Sequence, residues 1–69
     1  MKFLLAFDIP TEKRNFKVKI NRELNRIGAK LIQRSLWSSS NLNQFIKLAI
    51  EIKNVGGSAR VLEEKLVFE

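Results

Sequence analysis

Apolar and polar positions change rhythm several times along this chain, and each rhythm marks an element. Phe3-Leu4-Leu5-Ala6-Phe7 is continuously apolar, as in a central strand covered on both faces or flanked on both edges. Asp8-Ile9-Pro10-Thr11 ends it, because Pro10 cannot donate to a ladder and Thr11 is a favoured helix N-cap. From Thr11 to Ile27 the spacing predicts a helix. At about 100° per residue Phe16, Ile20, Leu24 and Ile27 form one stripe, while Lys19, Arg22 and Arg26 cluster on another side. Gly28 is its natural stop.

Ala29 to Ser38 is rich in strand formers and reads as two short strands with a tight bend near Arg34-Ser35; one bent strand is the competing reading. Ser38-Ser39-Ser40-Asn41 then launches a second amphipathic helix. Leu42, Phe45, Ile46, Ala49 and Ile52 lie on one side, with Asn43, Gln44, Lys47 and Glu51 on the other, and Gly56-Gly57 closes it. Ser58 to Leu62 reads as the last sheet strand, and Lys65-Leu66-Val67-Phe68 as a further extended piece. Phe16, Phe45 and Phe68 are core by spacing.

Two strand-helix-strand units joined by a very short link predict an α+β, ferredoxin-like βαββαβ domain over residues 1–69, an antiparallel sheet with both helices on one face. The other face stays open unless a second copy covers it, which points to a homodimer. Length argues the same way, since a chain of 69 residues buries only about 60% of its unfolded surface alone. With no cysteine or histidine, disulfides, thiol nucleophiles, imidazole bases and the usual zinc sites are excluded. The apolar run at the start is too short for a membrane span and lacks a signal-type cleavage site, so no membrane and a cytoplasmic location are expected.

The net charge of +6 lies entirely in the first half. Residues 1–34 hold nine Lys or Arg against Asp8, Glu12 and Glu23; Lys47, Lys53, Arg60 and Lys65 in the second half are matched by Glu51, Glu63, Glu64 and Glu69. A one-sided basic surface is the footprint of a protein that meets polyphosphate; a solvated helix face is the plainer alternative.

The run Phe3 to Pro10 followed by Lys13-Arg14, and the later run Leu31-Ile32-Gln33-Arg34-Ser35-Leu36-Trp37, resemble the Cas-two family of CRISPR-associated proteins. That family shows an apolar strand ending in Asp, a basic helix, then a Gln-x-Ser-aliphatic-aromatic strand. The same motifs are similar to the C-terminal domain of the repressor PaaX, which carries a further winged-helix domain before it; a chain starting at the first strand fits the Cas-two family better. Phe7 stands where Tyr is frequent in that family, and only Glu63 to Glu69 remain for the tail that packs on the partner subunit and on a CRISPR integrase.

The resemblance implies a homodimer that binds nucleic acid, double-stranded DNA or RNA, during spacer acquisition. It also implies that Asp8 from each copy shares a divalent metal, Mg²⁺, serving an endonuclease of DNA or RNA. Asp8 as a turn cap or salt-bridge partner is the alternative. Lys13, Arg14, Lys17, Lys19, Arg22 and Arg26 are the candidate phosphate contacts, with Lys30 and Arg34 extending them. Arg34 and Ser35 also suit a protected strand edge. Trp37 either stacks on a base or packs in the core. A VapD-like toxin ribonuclease and a non-catalytic regulatory or scaffold dimer share these features, so cleavage itself stays open at this point.

Overall fold

In the computed structural model, which describes residues 1–65 and residue 67, the first apolar run becomes β1 (Phe3–Asp8). Its residues alternate, as a pleated strand requires: Leu5 and Phe7 are buried, while Leu4 and Ala6 are half-buried and Asp8 exposed on the other face. The continuous hydrophobicity therefore reflects flanking on both edges. β1 is antiparallel to β3 (Leu36–Ser39) on one side and to β4 (Ser58–Glu63) on the other.

Between β1 and the first helix, α1 (Arg14–Arg26), lies a 3-10 turn over Thr11–Lys13. The expected Thr11 cap is corrected here: no side chain caps α1, and the Lys13 amide instead donates to the Pro10 carbonyl at 2.9 Å. The tight turn takes up a backbone group that a capping oxygen would otherwise serve. The C-terminus is as the glycine predicts. Gly28 adopts φ +78°, its amide donates to Asn25 O, and the Ala29 amide reaches back to Leu24 O at 2.9 Å, a Schellman closure.

β2 (Lys30–Gln33) and β3 form a hairpin with Arg34-Ser35 at its turn, so the two-strand reading holds. Lys30 faces Ser38 and Leu31 faces Trp37, after which the register slips between Leu31 and Gln33. β2 is an edge strand, exposed throughout.

α2 (Leu42–Asn54) begins at Asn41, whose side chain accepts from the Gln44 amide, and ends in a second Schellman closure through Gly56 and Gly57. Its buried stripe is Phe45, Leu48 and Ile52. Ile46, expected inside, is 43% exposed, whereas Leu48 is 2% exposed. The helix is rolled toward α1, which shares a hollow with Gln44, Lys47, Leu48 and Glu51.

The sheet order is β2-β3-β1-β4, the ferredoxin-like arrangement with β1 and β3 central. Leu5, Ile20, Leu24, Phe45 and Ile52 are fully buried at its core, joined by Phe7, Ile9, Trp37 and Leu48. Leu4, Ala6, Leu36 and Leu62 lie on the face away from it, as the registers show. Leu66 and Phe68, half of the extended piece expected over residues 65–68, lie outside the described residues, and the expectation that Phe68 is core lies there with them. Among the described residues no helix is long and apolar enough to cross a membrane.

Candidate nucleic-acid interface

Asp8 is the last residue of β1, exposed, with Ser58 of β4 opposite. Its carboxylate makes no ion pair and accepts no hydrogen bond among the described residues, so neither structural role considered for it is realised there. The neighbouring Phe7 amide donates to the Ser35 carbonyl at 3.1 Å, which pins the hairpin turn against the strand end that carries Asp8. Ser35 holds φ 32°, a left-handed conformation uncommon for a residue with a Cβ. The turn is thereby fixed with the Arg34 backbone beside Asp8.

A groove of about 620 Å³ results between this turn and α1, lined by Asp8, Lys17, Asn21, Arg34, Ser35 and the edge of Trp37. Helical spacing explains who takes part. Arg14, Lys17 and Asn21, at i, i+3 and i+7, share the flank of α1 that faces the hairpin. Lys17 also borders a smaller hollow with Arg14, Ile9 and Pro10, and on the opposite side of Asp8 a third hollow is bounded by Arg60, Ser58 and Leu62. Asp8 thus sits in a band whose cations are Arg14, Lys17, Arg34 and Arg60. None of the four forms an ion pair among the described residues.

The remaining basic residues of α1 are placed elsewhere. Arg26 makes a bidentate pair with Glu23, with contacts of 2.6, 3.1 and 3.2 Å, and Lys19 lies 3.8 Å from Glu51 of α2. The hydrogen bond from Arg26 lowers the Glu23 carboxyl below its ordinary value, and the same bond raises the Arg26 guanidinium. Arg22 falls on the outer face of α1, Lys13 is exposed at its start, and Lys30 is on the far end of the sheet beside Lys2. The candidate phosphate contacts of α1 are therefore divided among the hairpin flank, the α2 flank and solvent.

Trp37 is 7% exposed and belongs to the core, opposite Leu5. An indole packed this way offers no free face to a base, so its role is packing. Asn21 and Arg60 were not singled out in the sequence. Asn21 was legible from its spacing to Lys17, whereas Arg60 is brought to Asp8 only by the β1–β4 register, with Arg60 opposite Ala6.

For Mg²⁺, the oxygen donors at the groove are the Asp8 carboxylate, the Ser35 hydroxyl and the Asn21 amide, beside two cations. No cluster of three or more Asp, Glu, His or Cys suited to a metal occurs among the described residues. One copy supplies one carboxylate, so the fit depends on a second Asp8 from another copy. Set against known proteins, the chain matches no family model and no curated sequence.

Proposed function

We propose that the protein acts as a Cas-two-like homodimer that holds nucleic acid by its phosphate backbone at the band around Asp8. The observation that carries this reading is that Lys17 and Arg34, from distant parts of the chain, share one groove and neither is neutralised by a carboxylate there. Asp8 is the sole acid lining that groove, and it stands on the strand end that faces the same space. Such contacts neutralise phosphates and carry no sequence information, so the binding is insensitive to sequence.

The sheet's uncovered side supports the dimer. Leu4, Ala6 and Leu36 are half-buried and Leu62 is exposed on the face opposite the helices, and a second copy laid on that face would remove them from water. Two Asp8 carboxylates brought within reach of one cation would hold Mg²⁺ with water and phosphate oxygens completing its shell; the bound ion would supply Lewis-acid assistance to phosphodiester cleavage. The residues of the chain orient the backbone whether or not cleavage follows.

The test is the salt dependence of duplex DNA and RNA binding. Arg14, Lys17 and Arg34 from two copies neutralise about six phosphates, giving a log–log slope of roughly −5. Replacing Lys17 and Arg34 with Ala flattens that slope to about −2, whereas replacing Lys19 and Arg26 leaves it nearly unchanged. A slope near zero in the unmodified protein refutes the proposal.

A further inference from the structure

The hairpin turn beside Asp8 is built on a residue that does not suit its backbone. Ser35 holds φ 32°, in the left-handed region where a Cβ is crowded and where glycine or asparagine is favoured in a tight turn. What the fold uses at this position is main chain. The Ser35 carbonyl accepts from the Phe7 amide at 3.1 Å, and a glycine would offer the same carbonyl with less strain. Among the described residues no side-chain hydrogen bond involves the Ser35 hydroxyl, so nothing in the turn itself offsets the conformation.

The side chain meets the groove instead. Ser35 is half-buried and lines it together with Asp8, Lys17, Asn21 and Arg34. Lys17 comes from α1 and Arg34 immediately precedes Ser35, so an anion drawn between the two cations is drawn to the turn. The Lys17 ammonium is a point charge on a flexible stem and attracts a phosphate without orienting it. A hydroxyl on a turn pinned to β1 is a short, directed donor, and it adds no charge beside Asp8.

We infer that the Ser35 hydroxyl donates to a non-bridging oxygen of the phosphodiester held by Lys17 and Arg34, and so sets how the backbone lies against Asp8. This role rests on the nucleic-acid reading of the groove and adds a positioning residue to it. Ser35 differs from its cationic neighbours in a way that binding can read. Loss of a cation changes the number of counterions released, whereas loss of a neutral donor lowers affinity at every salt concentration and leaves the slope alone.

Duplex DNA and RNA binding by Ser35→Gly, Ser35→Ala and Ser35→Asn across a salt series, with thermal unfolding of each, tests the assignment. Ser35→Gly should melt about 3 °C above the parent, because it relieves the left-handed strain, yet bind about tenfold more weakly with the log–log slope still roughly −5. Ser35→Ala should lose the same affinity, which makes the missing hydroxyl, and not a looser turn, the cause. Ser35→Asn suits the left-handed backbone and carries an amide donor, so it should bind within about threefold of the parent.

Parent affinity in both Ser35→Gly and Ser35→Ala, with the parent's slope intact, refutes the role of Ser35 and leaves the reading of Lys17 and Arg34 standing. Weakening in Ser35→Gly alone makes rigidity of the turn the cause and overturns the assignment. A marked fall in the midpoint of Ser35→Gly makes the side chain structural and overturns it as well. A slope near zero in the parent refutes the nucleic-acid reading, and the role of Ser35 with it.

Discussion

Replacing Gly57 with Ala tests how tightly the end of α2 is seated against the strand that carries Asp8. A Cβ at Gly57 would stand 2.6 Å from the Asp8 carbonyl oxygen, 2.8 Å from Ile52 Cγ2 and 3.1 Å from the Ile52 carbonyl. The closest of these is backbone of a central strand, and Ile52 is fully buried, so no flexible tip can swing away. Overpacking of this kind costs about 1–3 kcal/mol, and the rigid neighbours place Gly57→Ala near the upper end. The alanine recovers roughly 0.4–1 kcal/mol by restricting the unfolded chain, leaving a net loss of about 2 kcal/mol. For a domain of this size that lowers the thermal midpoint by roughly 8–16 °C.

Gly56→Ala is the informative comparison. Gly56 has φ +90° but open space where its Cβ would go, so it incurs only the left-handed penalty of about 1–2 kcal/mol, partly offset in the unfolded state. Thermal and urea unfolding followed by circular dichroism should rank Gly57→Ala as the more damaging change, although Gly56 has the unusual backbone. Equal stability of Gly57→Ala and the parent, or the reverse ranking, would show that the close approach of Gly57 to Asp8 is wrong.

Three other outcomes are expected. Asp8→Asn should abolish any Mg²⁺- or Mn²⁺-dependent cleavage of labelled RNA or duplex DNA while leaving the melting temperature within a degree or two, because its carboxylate holds nothing among the described residues; chelator-resistant cleavage that survives the change would point to a contaminant. Light scattering at micromolar concentration should give twice the chain mass of 8.0 kDa, and Leu4→Lys/Leu62→Lys should return it to the monomer value; a monomeric parent sinks the dimer. Because Arg26 holds the Glu23 carboxyl low in the folded state, their pair stabilises above the ordinary carboxylate range and is lost as pH falls through the lowered value. Both partners are exposed, so the effect is slight and should vanish in Glu23→Gln when midpoints are compared between pH 7 and pH 3 at low salt.

The fold was legible because its punctuation is local. Gly28 and Gly56-Gly57 terminate helices through their own backbone, Asn41 caps through its own side chain, and the apolar run of β1 needs only its length to be seen. Thr11 misled because a 3-10 turn, indistinguishable from a helix start by residue type, took over the capping. Ile46 misled because periodicity orders residues around α2 without saying which arc meets α1, and packing against α1 rolled Leu48 inward. At the site, Asp8 and Arg34 could be named singly, but their meeting depends on the Phe7–Ser35 hydrogen bond. Charge counting treated Lys19 and Arg26 like Lys17, and only the placement of Glu51 and Glu23 separates them.

The central position of β1 also governs how the molecule is made. The strand is synthesised before either of its partners, the third and fourth strands, with Phe3 finding Ser39 on one side and Glu63 on the other. A nascent chain therefore carries Phe3-Leu4-Leu5-Ala6-Phe7 with one edge unpaired until Ser39 has emerged and the other until Glu63 has. Such non-local pairing slows folding and leaves an apolar strand exposed to aggregation in the interval. The charged helix that follows, with Lys13, Arg14, Lys17 and Lys19 emerging directly behind that strand, keeps the unfinished chain hydrated during the delay.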